Sequence, residues 1–509
     1  MAYDPPSSLA SFHSRYAPRR EAERYVDAAL SGRRPSVIFI VGGGLNYIGA
    51  ALAERFPKAL RVSLQPCSDF LGYEEDTPGI SWHPSSASGL AAAIGAALSG
   101  DRIGGGVAVI EWPPVASRFP AETERIKAEL KRALEAASSD SATSSYWAYR
   151  WLRNSLRFAS SVSRVGSLVP GAAPIVIACA GPSLDDEISG LRRIRAGISL
   201  WALASAVPAL LSRGLEPDIA VSTDPGFWNG YHVTAAVARA IPIAMPPSSF
   251  VPAEAYSGTS IIALNTGMSF ERAAIEAAGV SARLADAGGS AAGTALSLAL
   301  GLTTGPVALA GYDLAARGFD DHVAPYAFDA LDAVSSSRAS PYCSSRAARV
   351  MEGFPTAVGS WRTSRAFSAY ASSIGAPPED SHRVFRLGGS PMDTPLPRGA
   401  LDDVIRGLGP EPAVIAEAKT GFSGGASRGA LEEMLAGLGR RAFLEAGSAI
   451  RRSEPIPFEA ALYYKALAPR DSARLIADAA RGEAREEDLP PVDEASRIAG
   501  SELARMAQW

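Results

Sequence analysis

The chain has 509 residues, and its 49 Lys and Arg nearly balance 53 Asp and Glu, for a formal net charge of −4 at pH 7. This balance argues against a non-specific nucleic-acid binder, which usually presents a strongly basic face. The three cysteines, Cys67, Cys179 and Cys343, are far apart and show no CxxC spacing. The sequence therefore argues against a disulfide scaffold or a cysteine zinc site, and it indicates a reducing compartment.

Neither the N-terminal residues nor the most apolar region of the sequence indicates a membrane protein. Residues 1–20 are polar and contain three prolines, so we expect no signal peptide. The most apolar region, 291–310, is interrupted by Thr303-Thr304-Gly305-Pro306 and reads as a helix, a turn and a strand. We therefore predict a cytoplasmic protein without a membrane span.

The first 145 residues predict a small Rossmann-like α/β domain. Apolar strands are expected at 36–41, 60–64 and 106–111, and Gly42-Gly43-Gly44 follows the first of them. The dinucleotide fingerprint is broken, because its third glycine position is Tyr47 and its ribose-binding acid is replaced by Gln65. The domain is therefore interpreted as degenerate, and whether it binds a ligand stays open.

The rest of the chain is divided by composition and periodicity. Residues 146–171 are predicted to be a helical linker, with one helix over 146–168, and residues 395–509 a helical C-terminal domain. Between them, residues 172–394 alternate strands with helices, which predicts a Rossmann-like, mainly parallel sheet with helices on both faces. The strands are expected at 175–179, 199–204, 219–222, 260–264 and 307–310, and the helices near 184–194, 206–213, 269–278 and 291–300.

Small and polar residues follow the predicted strands of the central domain. A strand that breaks into a helix at Gly181-Pro182-Ser183 presents free backbone N–H groups, which suit a phosphate. Because ligands bind at the carboxyl ends of parallel strands, six such loops on one edge indicate a nucleotide pocket, although each alone fits ordinary turn chemistry. The other loops are Ala204-Ser205, Ser222–Gly226, Asn265-Thr266-Gly267, Gly288-Gly289-Ser290 and Gly311–Leu314.

The titratable side chains in these loops are few. Asp224 is a single acid, so a metal site is not signalled, and Asp313 either caps its turn or binds the ligand. The central domain has three histidines, His232, His322 and His382. By residue type and position, His322 is the best candidate for a general base.

The order and spacing of four motifs resemble those of the motility-associated factor (Maf) glycosyltransferases. The motifs are Gly181-Pro182-Ser183-Leu184, Glu216–Ile219 leading to Asp224-Pro225, Gly288-Gly289-Ser290, and Gly311-Tyr312-Asp313-Leu314. The resemblance implies transfer of a nonulosonic acid, a sialic-acid-like sugar, from a CMP-sugar to Ser and Thr hydroxyls of flagellin, in flagellum assembly and motility. It also implies a three-part layout with an N-terminal Rossmann-like unit and a helical tail.

The central domain is also similar to bacterial CMP-sialic-acid transferases. In those enzymes a lid with Tyr-Ala-Phe follows the Gly-x-Asp strand end, and this chain has Tyr326-Ala327-Phe328. By that resemblance Tyr326 hydrogen-bonds the departing phosphate, and residues 315–349 form the lid. Two departures stand out: Ala180 replaces an Asn, and the stretch 357–362 lacks the lid histidine, so His322, Asp224 or His382 would have to serve as the base.

Together the two resemblances imply a CMP-nonulosonate-dependent protein O-glycosyltransferase that needs no cofactor and has flagellin as its partner. The predicted catalytic residues are His322, Asp224 and Tyr326. Arg338, Arg346 and Arg349 of the lid could pair with the sugar carboxylate. The residues predicted to bind the CMP-sugar are Gly181, Pro182, Ser183, Ser205, Asp224, Asn265, Thr266, Gly288, Gly289, Ser290, Asp313 and Tyr326.

Two other functions fit part of the same pattern. One is a kinase that transfers pyrophosphate from ATP to a hydroxymethylpterin, because that family shares a related Gly-Pro-Ser-Leu domain. The other is a non-catalytic module that binds a nucleotide or flagellin. The oligomeric state stays open.

Overall fold

Alternating apolar and amphipathic segments fold into parallel sheets with helices on their faces. The computed structural model describes residues 12–70, 79–406, 409, 411–418 and 424–490. Contacts between these residues divide the chain into two units. The first takes the residues up to Tyr149 and those from Leu435 onward, and the second extends from Arg150 to Met434. The division predicted from composition, at 145, 171 and 394, stays a prediction.

The first unit has a four-stranded parallel sheet among its described residues. Its strands are β1 (Val37–Val41), β2 (Leu60–Leu64), β3 (Ile80–Trp82) and β4 (Val107–Glu111), in the spatial order β3-β2-β1-β4. Its helices up to the boundary are α1 (Pro18–Leu30), α2 (Tyr47–Arg55), α3 (Leu90–Leu98), α4 (Pro113–Arg118) and α5 (Pro120–Ser161), the last of which continues into the second unit. Every residue of β1 is buried, as expected of a strand covered on both faces.

The strands of the second unit are β5 (Gly166–Val169), β6 (Ile175–Ala178), β7 (Ser199–Leu203), β8 (Ile219–Val221), β9 (Ile243–Met245), β10 (Ile261–Asn265), β11 (Arg283–Leu284), β12 (Val307–Ala310), β13 (Ala316–Arg317), β14 (Phe354–Pro355), β15 (Trp361–Thr363), β16 (Val384–Arg386) and β17 (Ile415–Ala418). Eight of them form one sheet in the described part of the chain, in the order β11-β10-β9-β8-β7-β6-β12-β16, and every pairing in it is parallel. The α/β fold class predicted from the sequence is therefore confirmed.

Helices cover this sheet and supply the rest of the core. α6 buries Leu184, Ile188, Leu191 and Ile194 at helical spacing, and acidic residues occupy its first turn, where they complement the helix dipole. The helices are α6 (Leu184–Ile194), α7 (Val207–Ser212), α8 (Asn229–Ala238), α9 (Ala253–Gly258), α10 (Ser269–Ala278), α11 (Ala291–Leu300), α12 (Asp329–Ser335), α13 (Tyr342–Met351), α14 (Arg365–Ser373) and α15 (Leu401–Arg406).

The C-terminal helices are α16 (Arg428–Arg451), α17 (Phe458–Leu467) and α18 (Pro469–Ala480), so the predicted helical character of this region is seen after residue 428. α17 and α18 belong to the first unit, and α16 contributes to both. Within the described ranges, none of the helices combines the length and the apolar character that crossing a bilayer requires.

The end of the helix predicted before the central domain was wrong. The helix expected at 146–168 ends at Ser161, and β5 follows it, because Gly166–Val169 pair with β17 in an antiparallel ladder. β17 lies within 395–509, where the sequence pattern predicted helices.

Candidate functional site

The loops that follow β6 and β12 lock together at the carboxyl edge of the sheet. These strands are neighbours, and Asp313, after β12, accepts hydrogen bonds from the backbone N–H of Ser183 at 2.7 Å and from its hydroxyl at 2.5 Å. Both side chains are buried, Asp313 with 2% exposure and Ser183 with none. Burial raises the pKa of Asp313, and the two bonds from Ser183 oppose that rise. Ser183 and Asp313 therefore bind each other.

The close approach of these loops requires glycine at Gly311. Its φ is +69°, in the left-handed region, and a Cβ there would lie 2.7 Å from the carbonyl oxygen of Cys179. Gly181 donates its backbone N–H to the Gly311 carbonyl at 2.9 Å. The glycines that the sequence singled out thus bring two strand ends together, rather than only clearing space for a ligand.

A cavity of about 360 Å³ opens where these loops meet the next strand ends. It is lined by the carboxyl ends of β6, β7, β8 and β12, the start of α11, residues of α8 and α14, and the lid. This is the edge at which doubly wound sheets bind ligands. The polar lining residues are Ser205, Ser222, Thr223, Asp224, Asn229, His232, Ser290, Tyr312, Asp313, Asp321, His322, Tyr326 and Tyr370.

The start of α11 supplies backbone donors to this cavity. Ser290 is the N-cap, and its hydroxyl accepts from the N–H of Gly293 at 3.2 Å. Ser290, Ala291 and Ala292 all line the cavity, so the first N–H groups of a ten-residue helix lie at its wall. Such N–H groups attract anions, and no Lys or Arg is present among the described lining residues to do so.

The lid places His322 and Tyr326 together inside the cavity. Their rings stack, with centroids 4.0 Å apart and planes 12° apart. Nδ1 of His322 lies 3.5 Å from a carboxylate oxygen of Asp321, and Arg349 contacts the other oxygen at 3.3 Å. Burial alone would raise the pKa of Asp321, but His322 and Arg349 lower it to about 2, so this carboxylate is ionised at neutral pH.

The lid is also attached to the first turn of α6. Arg317 contacts Asp186 at 2.6 Å and donates to the carbonyl of Pro182 at 3.0 Å. Arg213, just after α7, pairs with Asp185 and donates to the lid carbonyl of Ala324 at 2.7 Å. Acidic residues of one helix turn thus hold the segment that carries His322 and Tyr326.

Three lid arginines were expected to be available for a sugar carboxylate. Arg346 instead contacts Asp320 at 2.7 Å, and Arg349 contacts Asp321 and Asp332 at 3.3 and 3.0 Å. Arg338 is exposed. The structure therefore gives Arg346 and Arg349 partners within the lid.

The cavity brings together seven of the residues predicted from the sequence and leaves six outside its lining. Asp224 lines it, and its carboxylate accepts from the N–H of Gly226 at 2.6 Å, which closes the turn after β8. Those at the cavity wall are Gly181, Ser205, Asp224, Ser290, Asp313, His322 and Tyr326; those outside are Pro182, Ser183, Asn265, Thr266, Gly288 and Gly289.

The residues outside the lining have partners or positions of their own. The backbone N–H and hydroxyl of Thr266 both donate to Glu271 at 2.8 Å, and Asn265 accepts from the N–H of Gly267 at 2.9 Å. Gly288 packs against Gly293 and lines a second cavity of about 350 Å³ with Asp286 and Ser297.

Sequence reasoning passed over His232 and Tyr370, which line the same cavity. His232 lies on α8, one helical turn after Asn229, whose amide donates to the hydroxyl of Ser222 at 2.7 Å. Its position in the helix that follows the Asp224 loop was the available signal. Tyr370 lies on α14, far along the chain, and no spacing rule links it to the strand ends.

The glycine-rich loop of the first unit is filled by the chain itself. Nε2 of His13 accepts from the N–H of Leu45 at 3.1 Å, and a Cβ at Gly44 would lie 2.6 Å from that nitrogen. The His13 ring stacks on Trp112 with centroids 5.3 Å apart. Burial lowers the pKa of His13 to about 4, against the opposing charge of Glu21. A neutral imidazole therefore occupies the loop where a Rossmann domain binds a phosphate.

Comparisons with known proteins agree with this geometry at the level of the fold. A solved structure, a MAf glycosyltransferase from Magnetospirillum magneticum AMB-1, matches 99% of this chain and 79% of its own with a TM-score of 0.51 and 13% identity. This likeness supports the Maf-like fold that the motifs implied. A family described as 6-hydroxymethylpterin diphosphokinase MptE-like matches residues 149–318.

Two curated relatives come from Treponema pallidum (strain Nichols), and both are described as uncharacterised. The first is 30% identical over 229 residues, which are 45% of this chain and 50% of that protein. The second is 27% identical over 112 residues, 21% of this chain and 53% of its own. The chain thus spans about half the length of the curated relatives that it matches.

Proposed function

We propose that this chain is a glycosyltransferase that moves a nonulosonic acid from its CMP ester to Ser and Thr hydroxyls of flagellin. The observation that carries the proposal is the stacked pair of His322 and Tyr326, which the lid holds in a cavity at the strand ends. The fold shared with a MAf glycosyltransferase supports the reaction class. The donor and the acceptor come from the motif resemblance.

The reaction makes modest demands on the protein. The leaving group is a phosphate monoester, so catalysis needs donors that neutralise the phosphate as charge develops and a base for the acceptor hydroxyl. We assign the first task to the start of α11 and to the hydroxyl of Tyr326. Burial, together with Asp321, raises the pKa of Tyr326, so its hydroxyl keeps its proton and donates it in a hydrogen bond.

Binding to nucleotides tests the donor class. We expect CMP and CMP-N-acetylneuraminic acid to raise the melting temperature of the purified protein, and this effect to survive EDTA. The match to the diphosphokinase-like family favours a second candidate, ATP-dependent pyrophosphoryl transfer. Stabilisation by ATP with Mg²⁺, and none by CMP, would support that candidate and overturn our proposal.

Tyr326→Phe tests the chemistry. Loss of a hydrogen bond that strengthens as the phosphate departs should lower kcat on the order of 100-fold, with little change in CMP affinity. CMP release from the CMP-sugar, followed with and without flagellin, measures the first effect, and calorimetric titration with CMP measures the second. Equal losses in both would confine the hydroxyl to ground-state binding.

A further inference from the structure

Two histidines flank Tyr326, and their surroundings differ. His322 stacks flat on the Tyr326 ring, and its Nδ1 faces the ionised Asp321. His232 approaches from α8, with its centroid 5.4 Å from that of Tyr326, and meets Phe328 edge-on at 5.0 Å. One imidazole has a carboxylate partner, and the other is set among aromatic rings.

The described residues place no carboxylate in ion-pair contact with His232. Its Nδ1 is buried and has no hydrogen-bond partner in the part of the chain that the structure covers; the same holds for Nδ1 of His322, which differs in having the Asp321 carboxylate 3.5 Å away. Because Nδ1 is buried and His232 lines the cavity, a bound molecule would contact Nε2. Burial, and then the charge of His322, lowers the pKa of His232 to about 4, so it is neutral in the free protein at pH 7.

The elements packed against α8 add little charge. α7 and the turn Ala204–Ala206 contain no titratable side chain. α9 contributes the exposed Glu254 and the buried Tyr256, and α8 itself contributes Tyr231. The titratable groups that share the cavity with His232 are Cys179, Asp224, Tyr312, Asp313, Asp321, His322, Tyr326 and Tyr370.

We propose that His232 is the general base of the transfer reaction, and that His322, with Asp321 behind it, faces the donor phosphate. This inference rests on the proposed function. His232 is neutral in the free protein and therefore suited to accept a proton. His322 is held by Asp321, and the described lining residues include no Lys or Arg that could contact the phosphate in its place.

The proposed step balances in atoms and charge. Nε2 of His232 takes the proton of the acceptor hydroxyl while the acceptor oxygen forms its bond to the anomeric carbon. The bond from that carbon to the phosphate oxygen breaks, and its electron pair leaves with CMP. The proton on His232 then passes to solvent once the products depart.

Binding of the donor should also make His232 a stronger base. The phosphodiester and the sugar carboxylate bring negative charge into the cavity, which favours the imidazolium and moves the pKa of His232 up toward neutrality. The acid limb of kcat, which reports the bound complex, should therefore lie at a higher pH than the acid limb of kcat/KM, which reports the free enzyme.

The experiment compares His232→Gln, His322→Gln and His382→Gln. His382 was a candidate base by sequence, but the structure places it on an exposed turn outside the cavity lining, so it serves as the control. CMP release from CMP-N-acetylneuraminic acid is followed from pH 3.5 to 8.5 with and without flagellin, and thermal unfolding with CMP at each pH checks that each variant folds and binds. We expect His232→Gln to lower kcat by at least 100-fold, to keep the donor KM within a fewfold, and to lose the acid limb. His322→Gln should raise the donor KM and keep the limb, and His382→Gln should match the parent.

Two outcomes separate this inference from the function beneath it. If His232→Gln keeps most of kcat and its acid limb while His322→Gln loses the limb, His232 is not the base and only this inference falls. If the parent protein releases no CMP from the CMP-sugar, the proposed function falls, and the inference falls with it.

Discussion

At the scale of single residues, the hydroxyl of Ser183 stabilises the fold by binding Asp313 and is therefore not free to bind a ligand. A turn of this type after a strand predicts a phosphate-binding loop, and the sequence alone gives no reason to doubt that role. In the structure, both donors of Ser183 are used by the buried Asp313. The motif is therefore a reliable marker of the strand end and a poor guide to which atoms meet the ligand.

Ser183→Ala should destabilise the second unit. It removes the 2.5 Å hydrogen bond to Asp313 and leaves a buried carboxylate with one donor fewer, which costs about 1–3 kcal/mol. Urea unfolding measures the change. Ser205→Ala, at the wall of the same cavity, is the matched control and should stay within about 0.5 kcal/mol. An unchanged midpoint in Ser183→Ala would show that the pair contributes nothing.

His13 should make the first unit less stable in acid. Its pKa is about 4 in the folded chain and 6.5 in the unfolded chain, so between these values the unfolded chain binds the extra proton. The free energy of unfolding should therefore fall by up to about 3 kcal/mol as the pH drops from 6.5 to 4. Denaturation of the parent and of His13→Gln across this range isolates the contribution, because Gln does not titrate. Parallel curves for the two proteins would refute this account.

At the scale of elements, the lid is the part of the site whose contacts were hardest to predict from the sequence. It also carries His322 and Tyr326, to which the proposed function assigns chemical roles. Tyr326 was predicted through a three-residue resemblance. Its stacking on His322 has no signature in the sequence pattern, and the support of Asp321 by Arg349, on α13, joins residues 28 positions apart. The tether to α6 could not be read from the sequence, because acids in a first turn are already explained by the helix dipole.

Arg317→Gln should loosen the lid without unfolding the unit. The pair with Asp186 is partly exposed and contributes about 1 kcal/mol at most, which corresponds to about fivefold more frequent local opening. Hydrogen exchange of the amides in 315–330 should accelerate by that factor. Arg239→Gln, which breaks a similarly exposed pair with Glu216, is the control and should leave the lid unchanged. Equal exchange in both variants would contradict the tether.

The predicted secondary structure was most accurate where apolar runs are long enough to show their period. β6, β12, α6, α10 and α11 match their predicted positions to within a residue. β9 and β16 were missed, since three-residue strands carry too little pattern, and β9 is flanked by prolines that suggest a loop. Pairings between distant segments, such as β5 with β17, leave no local signal at all.

At the scale of the whole molecule, the chain returns to its first unit after completing the second. Seven of the ten residues of α17 are buried, and Lys465 on it lies 2.5 Å from Asp101 and 2.9 Å from the hydroxyl of Ser144. The Lys465 and Asp101 side chains are 6% and 4% exposed. A charged pair thus joins segments more than 300 residues apart inside one unit, and hydrophobic patterning cannot foresee it.

Lys465→Met should destabilise the first unit by about 3–5 kcal/mol, because it leaves the Asp101 carboxylate buried and unpaired. Adding Asp101→Asn should recover part of the loss, since the remaining polar group is then neutral. Denaturation of both variants measures these effects. Lys127→Met removes exposed ion pairs and should change stability by about 1 kcal/mol or less. A loss in Lys465→Met no larger than in Lys127→Met would show that the pair is not needed for folding.

The contacts that hold the lid also affect how much of the activated sugar the proposed reaction consumes. His322 and Tyr326 lie on the lid, whereas His232 lies on α8, so any opening of the lid would move the first two residues and not the third. Each opening of the lid would separate the base from the groups that activate the donor. A CMP-sugar that binds while the lid is open would therefore dissociate without reacting. The fraction of bound CMP-sugar that reacts before it dissociates then depends on how long Arg213 and Arg317 keep the lid closed. These two arginines would therefore limit how much of the activated sugar is consumed.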